Sequence, residues 1–88
     1  MAYFVYILYT KTKDKFYIGQ TDNLDARLTS HNSGKSPYTS MSTDWEILYV
    51  EKYQSRTDAR KRENEIKRKK SRKYLEWLVS ASSRHESG

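Results

Sequence analysis

A chain of 88 residues has room for one buried core and not for two independent ones. Its 17 Lys and Arg against 11 Asp and Glu leave a formal charge of +6 and a pI near 9.6, the balance expected of a protein that meets phosphates and equally of a well-solvated surface. The absence of cysteine excludes disulfide frameworks, thiolate zinc sites and cysteine nucleophiles. No apolar run approaches the roughly 20 residues needed to cross a bilayer, and MAYFVYILY lacks a signal peptide's positive region and cleavage site, so a soluble cytoplasmic protein is expected.

Tyr3 to Tyr9 is aromatic and β-branched, Thr10 to Lys15 is polar, and Phe16 to Gly19 resumes the first pattern. That sequence of runs predicts a hairpin. A four-residue loop over Thr10 to Lys13 would pair Tyr9 with Asp14 and place Tyr6 opposite Tyr17, with both phenols on one face. A helix of about three turns is then expected, with a cap at Asp22 or Asn23, Leu24 and Leu28 four apart, and Gly34 beyond its end. On it Arg27 and His31, also four apart, flank the leucine stripe. Gly34 to Asp44 holds the single proline and many Ser and Thr and is expected to be a loop.

Trp45 to Tyr53 has the composition of a third strand. Ser55-Arg56-Thr57-Asp58 is shaped like a capping box and opens a basic helix running to about Lys69. Ser71 is placed to cap another helix with Tyr74, Leu75, Leu78 and Trp77 on its apolar side. The expected fold is α+β, a small three-stranded, mainly antiparallel sheet flanked by about three helices, forming one domain over 1–81 with a disordered tail over 82–88.

Glu63 fits this pattern worst. Ala59, Glu63 and Ile66 follow the i, i+4, i+7 spacing of a buried stripe, so a carboxylate stands where an apolar side chain belongs. It needs a cation, a donor network or a metal to offset lost hydration; an ion pair with Arg60, Arg62 or Lys67 is the structural alternative. Glu65, ringed by Lys61, Arg62, Arg68 and Lys69, is an ordinary solvated charge. Tyr6 and Tyr17 would by default be core residues with polar tips, and Arg27 and His31 helix-surface groups.

Val5-Tyr6-Ile7, separated by nine residues from Tyr17-Ile18-Gly19, resembles the paired signature of the GIY-YIG nucleases. Leu24 through Arg27 and Leu28 to His31-Asn32 is similar to that family's arginine-bearing helix, and Ala59 through Glu63 to Ile66-Lys67 to the helix carrying its metal-binding glutamate. Gly34-Lys35 with Tyr38-Thr39 matches a loop of small, stand-alone bacterial members. The resemblance spans about Tyr3 to Trp77. It departs at Phe4-Val5-Tyr6, which replaces Gly-Ile-Tyr and keeps the tyrosine, and at a late asparagine of larger members that has no counterpart here.

The resemblance implies a metal-dependent endonuclease that hydrolyses phosphodiester bonds in nucleic acid, DNA more than RNA, with one Mg²⁺ or Mn²⁺ held by Glu63. A single carboxylate is an acceptable anchor for such a cation when phosphate oxygens and water complete its shell. Arg27 would hold the scissile phosphate, and Tyr6 would act as general base or orient the attacking water with Tyr17 and His31 as partners. Because a free tyrosine titrates at about 10, that role requires help from Arg27 or the metal. Lys35, Arg60, Lys61, Lys67, Arg68, Lys69 and Lys70 form the expected backbone track. Two other readings stay open: a nucleic-acid-binding module of the same fold that cleaves little or nothing, and a protein-interaction adaptor using the Trp77 and Leu78 surface.

Overall fold

The computed structural model describes the backbone of residues 2–34 and 39–87, and side chains through residue 81. The first run forms β1 (Tyr3–Thr10), which turns through a left-handed Asp14 (φ 54°) into β2 (Lys15–Thr21). Arg72 and the Tyr9 hydroxyl both bind the Asp14 side chain, holding the turn. Tyr9 pairs with Phe16 and Tyr6 with Gly19, a register two residues away from the expected one, because the loop begins one residue later and consumes Asp14. A two-residue slip keeps every side chain on its face. Tyr17, now opposite Leu8, is therefore diagonal to Tyr6 and still beside it.

Asn23 caps α1 (Leu24–Asn32) by accepting from the Ala26 amide, and Gly34 adopts a positive φ just past the helix end. β3 (Trp45–Tyr53) completes an antiparallel sheet of order β2-β1-β3. Ser55 caps α2 (Arg56–Lys69), which stops at a left-handed Lys70, and the Ser71 hydroxyl accepts from the Tyr74 amide at the start of α3 (Arg72–Ser87). The expected tail overlaps the end of α3, with its side chains outside those described. No helix among the described residues is long and apolar enough to cross a membrane.

The sheet is buried on both faces. Val5 and Ile7 pack with Ala59, Ile66 and Leu78 beneath α2 and α3, whereas Tyr6, Leu8 and Trp45 pack with Leu24 and Leu28 of α1. β3 serves both layers through an irregularity: Ile7 faces Tyr49 but Leu8 faces Ile47, leaving Leu48 bulged. The bulge reverses the side-chain alternation, so Trp45 and Ile47 enter the α1 layer while Tyr49 and Tyr53 enter the other. Within that second layer Glu51 accepts from Arg62 Nε at 2.9 Å and Nη2 at 3.0 Å, and from the Tyr49 and Tyr53 hydroxyls. Burial and the carboxylate together push both phenols up to about 12. Burial opposes ionisation of Glu51, yet Arg62 and the two hydroxyls leave its carboxyl below the ordinary range. Trp77 stays 56% exposed, stacked at 5.9 Å on Tyr74.

Candidate active site

Gly19 leaves the space that the Tyr6 ring occupies. A Cβ built there would lie 2.5 Å from the Tyr6 hydroxyl and 3.1 Å from Tyr17 Cε2, so the Tyr6 ring lies across the bare backbone of edge strand β2. A side chain at this position would occupy the volume that the phenol needs. Tyr17, His31 and Trp45 wall the phenol in: Tyr6 and Tyr17 ring centres are 6.3 Å apart, Tyr17 and His31 4.9 Å, and Tyr17 meets Trp45 edge-on at 6.4 Å.

Tyr6 and His31 are each 1% exposed, and the phenol oxygen lies 3.1 Å from His31 Nε2. The other ring nitrogen, Nδ1, is 2.7 Å from Thr39 Oγ1, which is fully buried. Arg27, one turn before His31, is exposed, and its charge acts on the Tyr6 phenol. Desolvation pushes the Tyr6 phenol up to about 12, although the Arg27 guanidinium opposes the shift. Burial first, and the Arg27 charge second, hold His31 below the usual imidazole range. At neutral pH the pair is therefore a neutral phenol beside a neutral imidazole. Arg27 is shifted upward, chiefly by Tyr6.

Glu63 arrives from α2 on the other side of the sheet. Its side chain is 15% exposed, and its charge reaches both Tyr6 and Arg27, raising each. Of the three cations open to it, Lys67 takes the role at 2.7 Å, while Arg62 is engaged by Glu51 and Glu65. Lys67 lines an open cleft with Phe16, Tyr17 and Ile18, so the ion pair sits on the tyrosine side of the helix. Among the described residues no group of three or more His, Cys, Asp or Glu could hold a metal; any cation here would have Glu63 as its single carboxylate.

The basic residues do not share one surface. Arg60 and Lys67, at i−3 and i+4, flank Glu63, whereas Lys61 and Arg68, seven apart, lie on a row roughly 150° around the helix. Lys69 sits over the Tyr74 ring at 5.4 Å, while Lys67, Arg68 and Lys70 border a shallow cleft with Asn64. Lys35, with Tyr38, lies outside the described residues. Two contributors escaped sequence reasoning: Gly19 as the space for Tyr6, and Thr39 as the partner of His31. Motif matching had touched both without giving either a task.

The profile of the "GIY-YIG catalytic domain" matches residues 2–75. The chain belongs to the GIY-YIG family. It is 39% identical to a UPF0213 protein of Staphylococcus haemolyticus over 64 residues, 70% of this chain and 78% of that one. A UPF0213 protein of Clostridium perfringens is 34% identical over 85 residues, covering 94% of this chain and 89% of its own. Among solved structures, the solution NMR structure of a UPF0213 protein from Bacillus halodurans superposes with a TM-score of 0.58 at 34% identity, covering 92% of this chain and 85% of that one. GIY-YIG membership makes a nuclease-like domain that engages nucleic acid the coarse functional assignment, in keeping with the chain's charge.

Proposed function

We propose that this GIY-YIG domain is a divalent-metal-dependent endonuclease that hydrolyses phosphodiester bonds, with DNA as the expected substrate. The observation that carries the proposal is the buried Tyr6 hydroxyl, 3.1 Å from His31 Nε2 and within the fields of the Arg27 guanidinium and the Glu63 carboxylate. A solvated surface has no need of such a group, because burying a phenol, an imidazole and a carboxylate together costs free energy that apolar residues would not.

The donor set suits a hard cation. Glu63 already holds one positive charge, the Lys67 ammonium, and Mg²⁺ commonly takes one or two carboxylates with water and phosphate oxygens in the remaining positions. A bound Mg²⁺ or Mn²⁺ would supply charge neutralisation at the phosphate and stabilise the leaving oxygen. Arg27 meets the scissile phosphate with its planar fork and opposes the charge that builds in the transition state. Tyr6 takes a proton from the attacking water as its own hydroxyl proton passes to His31 Nε2, so no free phenolate has to form in a site that disfavours it. The proton ends on the imidazole, which must therefore start neutral. Tyr17 and Trp45 exclude bulk water from that transfer, and the exposed Arg60, Lys61, Arg68 and Lys70 supply backbone attraction without sequence preference.

A second reading, a binding module without turnover, draws on the same ion pair: Lys67 locked on Glu63 is a stable arrangement with no metal. The two separate on a panel of single-stranded, duplex and branched DNA and RNA incubated with Mg²⁺, Mn²⁺ or chelator. Metal-dependent cleavage of any member, abolished by chelator, supports the nuclease; binding without cleavage across the whole panel leaves the binding module.

A further inference from the structure

The loop after α1 contributes one fully buried side chain to the site, and none of the family signatures gives it work. Thr39 is 0% exposed, and both its backbone and its side chain are engaged. Its carbonyl accepts from the Trp45 indole Nε1 at 2.9 Å, and Trp45 is in turn fixed by Asn32, which accepts from its amide at 2.7 Å and donates to its carbonyl at 3.1 Å. Its hydroxyl is thereby delivered to within 2.7 Å of His31 Nδ1. The loop is tied to the end of α1 and the start of β3 in a way that presents one oxygen to one ring nitrogen.

A count of donors bears on the direction of these bonds. Arginine carries donors and no acceptor, so the Arg27 guanidinium, whose charge acts on Tyr6, cannot take the phenol's proton. The phenol's own proton then needs an acceptor in a desolvated site, and His31 Nε2 lies 3.1 Å away. Were Nε2 protonated, it would donate to the Tyr6 oxygen and leave the phenol's proton without this acceptor, at the cost of an unmet buried hydrogen bond. An Nε2 lone pair gives the phenol's proton its acceptor, and in a neutral ring the proton then resides on Nδ1, with Thr39 Oγ1 2.7 Å away to accept it.

We infer that Thr39 is a positioning residue that fixes His31 in the Nδ1–H tautomer, leaving Nε2 free to take the Tyr6 proton. It acts through the histidine and touches neither substrate nor metal. The benefit to catalysis rests on the nuclease reading above, but the tautomer itself does not, and it is a property of the resting protein. A mis-set tautomer would present a donor to Tyr6 and stop the transfer at its first step.

The test uses long-range ¹H–¹⁵N correlation of the histidine rings in the full chain at neutral pH, with His85→Gln identifying the second histidine. The wild type is expected to show a protonated Nδ1 and an unprotonated Nε2 at His31. Thr39→Val, which keeps the shape and the backbone carbonyl but loses the acceptor, is expected to give a mixed or reversed tautomer, and Thr39→Ser to restore the wild-type pattern. In cleavage assays Thr39→Val should lower kcat roughly ten- to hundredfold with little change in KM, with Ser recovering most of it. An Nε2–H tautomer in the wild type overturns the inference, as does a Thr39→Val ring indistinguishable from wild type. Should the valine variant fail to fold, the wild-type tautomer and the serine variant still decide. A correct tautomer in a protein that cleaves nothing would sink the nuclease reading and leave this one standing.

Discussion

Replacing Gly19 by alanine sets two physical effects against each other, and the structure says which wins. In a strand interior glycine is the weaker residue, so alanine in open space would stabilise by about 0.5–1 kcal/mol. Here the new methyl would sit 2.5 Å from the Tyr6 hydroxyl and 2.8 Å from Tyr6 Cζ. Ordinary contact begins near 3.4 Å, so the hydroxyl must retreat by 3.4 − 2.5, about 0.9 Å. The ring has no room to do so, being 1% exposed and enclosed by Tyr17 and His31. Gly19→Ala should therefore destabilise by about 1–3 kcal/mol, the usual range for overpacking. A 0.9 Å retreat also stretches the 3.1 Å bond to His31, and a misplacement of that size lowers turnover by roughly a hundredfold. Urea unfolding gives the first quantity and cleavage under saturating metal the second. A Gly19→Ala protein more stable than wild type, with the His31 ring resonances unmoved, would refute the claim that the phenol lies over this backbone.

Arg27→Ala should reduce cleavage by about a hundredfold or more while shifting the unfolding midpoint little, because the residue is largely exposed and its proposed work lies in the transition state; unchanged turnover would remove it from the mechanism. Lys67→Met should tighten Mn²⁺ binding measured by calorimetry, since the ammonium now on Glu63 competes with the metal, and equal or weaker binding would show that the lysine is no competitor. His31 is depressed in the folded protein, so the unfolded chain binds the extra proton first. Its contribution to stability is therefore complete above about pH 6.5 and declines as the pH falls from there toward the lower native value. Tyr6, Tyr17, Arg27 and Thr39 face the ring, with Glu63 near enough to act on the first and third. Urea midpoints from pH 7 to pH 5 should fall more steeply for wild type than for His31→Gln; parallel curves would contradict a buried neutral imidazole.

Most of the fold was readable because its signals are local. The aromatic and β-branched run of β1, the Asn23 and Ser55 caps and the Trp45–Tyr53 strand each announce themselves within a few residues, and the structure bears them out. The hairpin register was misplaced by two because the turn uses a left-handed Asp14, a conformation that composition marks weakly. Side-chain parity survived the error, which is why Tyr6 and Tyr17 still meet. The bulge at Leu48 was not legible: the continuous apolar run Ile47 to Val50 gives no mark of it, and the need to feed two layers arises only once α1 and α2 occupy opposite faces.

At the site, Glu63 stood out as a carboxylate on an apolar stripe, but its partner could not be chosen among three cations without knowing that Glu51 occupies Arg62. Thr39 was hidden for a different reason. A threonine in a Ser- and Thr-rich loop carries no periodicity, and its burial depends on contacts with Trp45 and His31 that sequence separation conceals.

The most direct test compares wild type with Glu63→Gln on a cleavable nucleic acid across a titration of Mg²⁺, with unfolding measured in parallel. A carboxylate working as the metal's anchor predicts that the glutamine variant folds, retains salt-sensitive binding and loses metal-stimulated cleavage. Full metal-stimulated cleavage by the variant would mean that Glu63 does no more than pair with its neighbouring lysine.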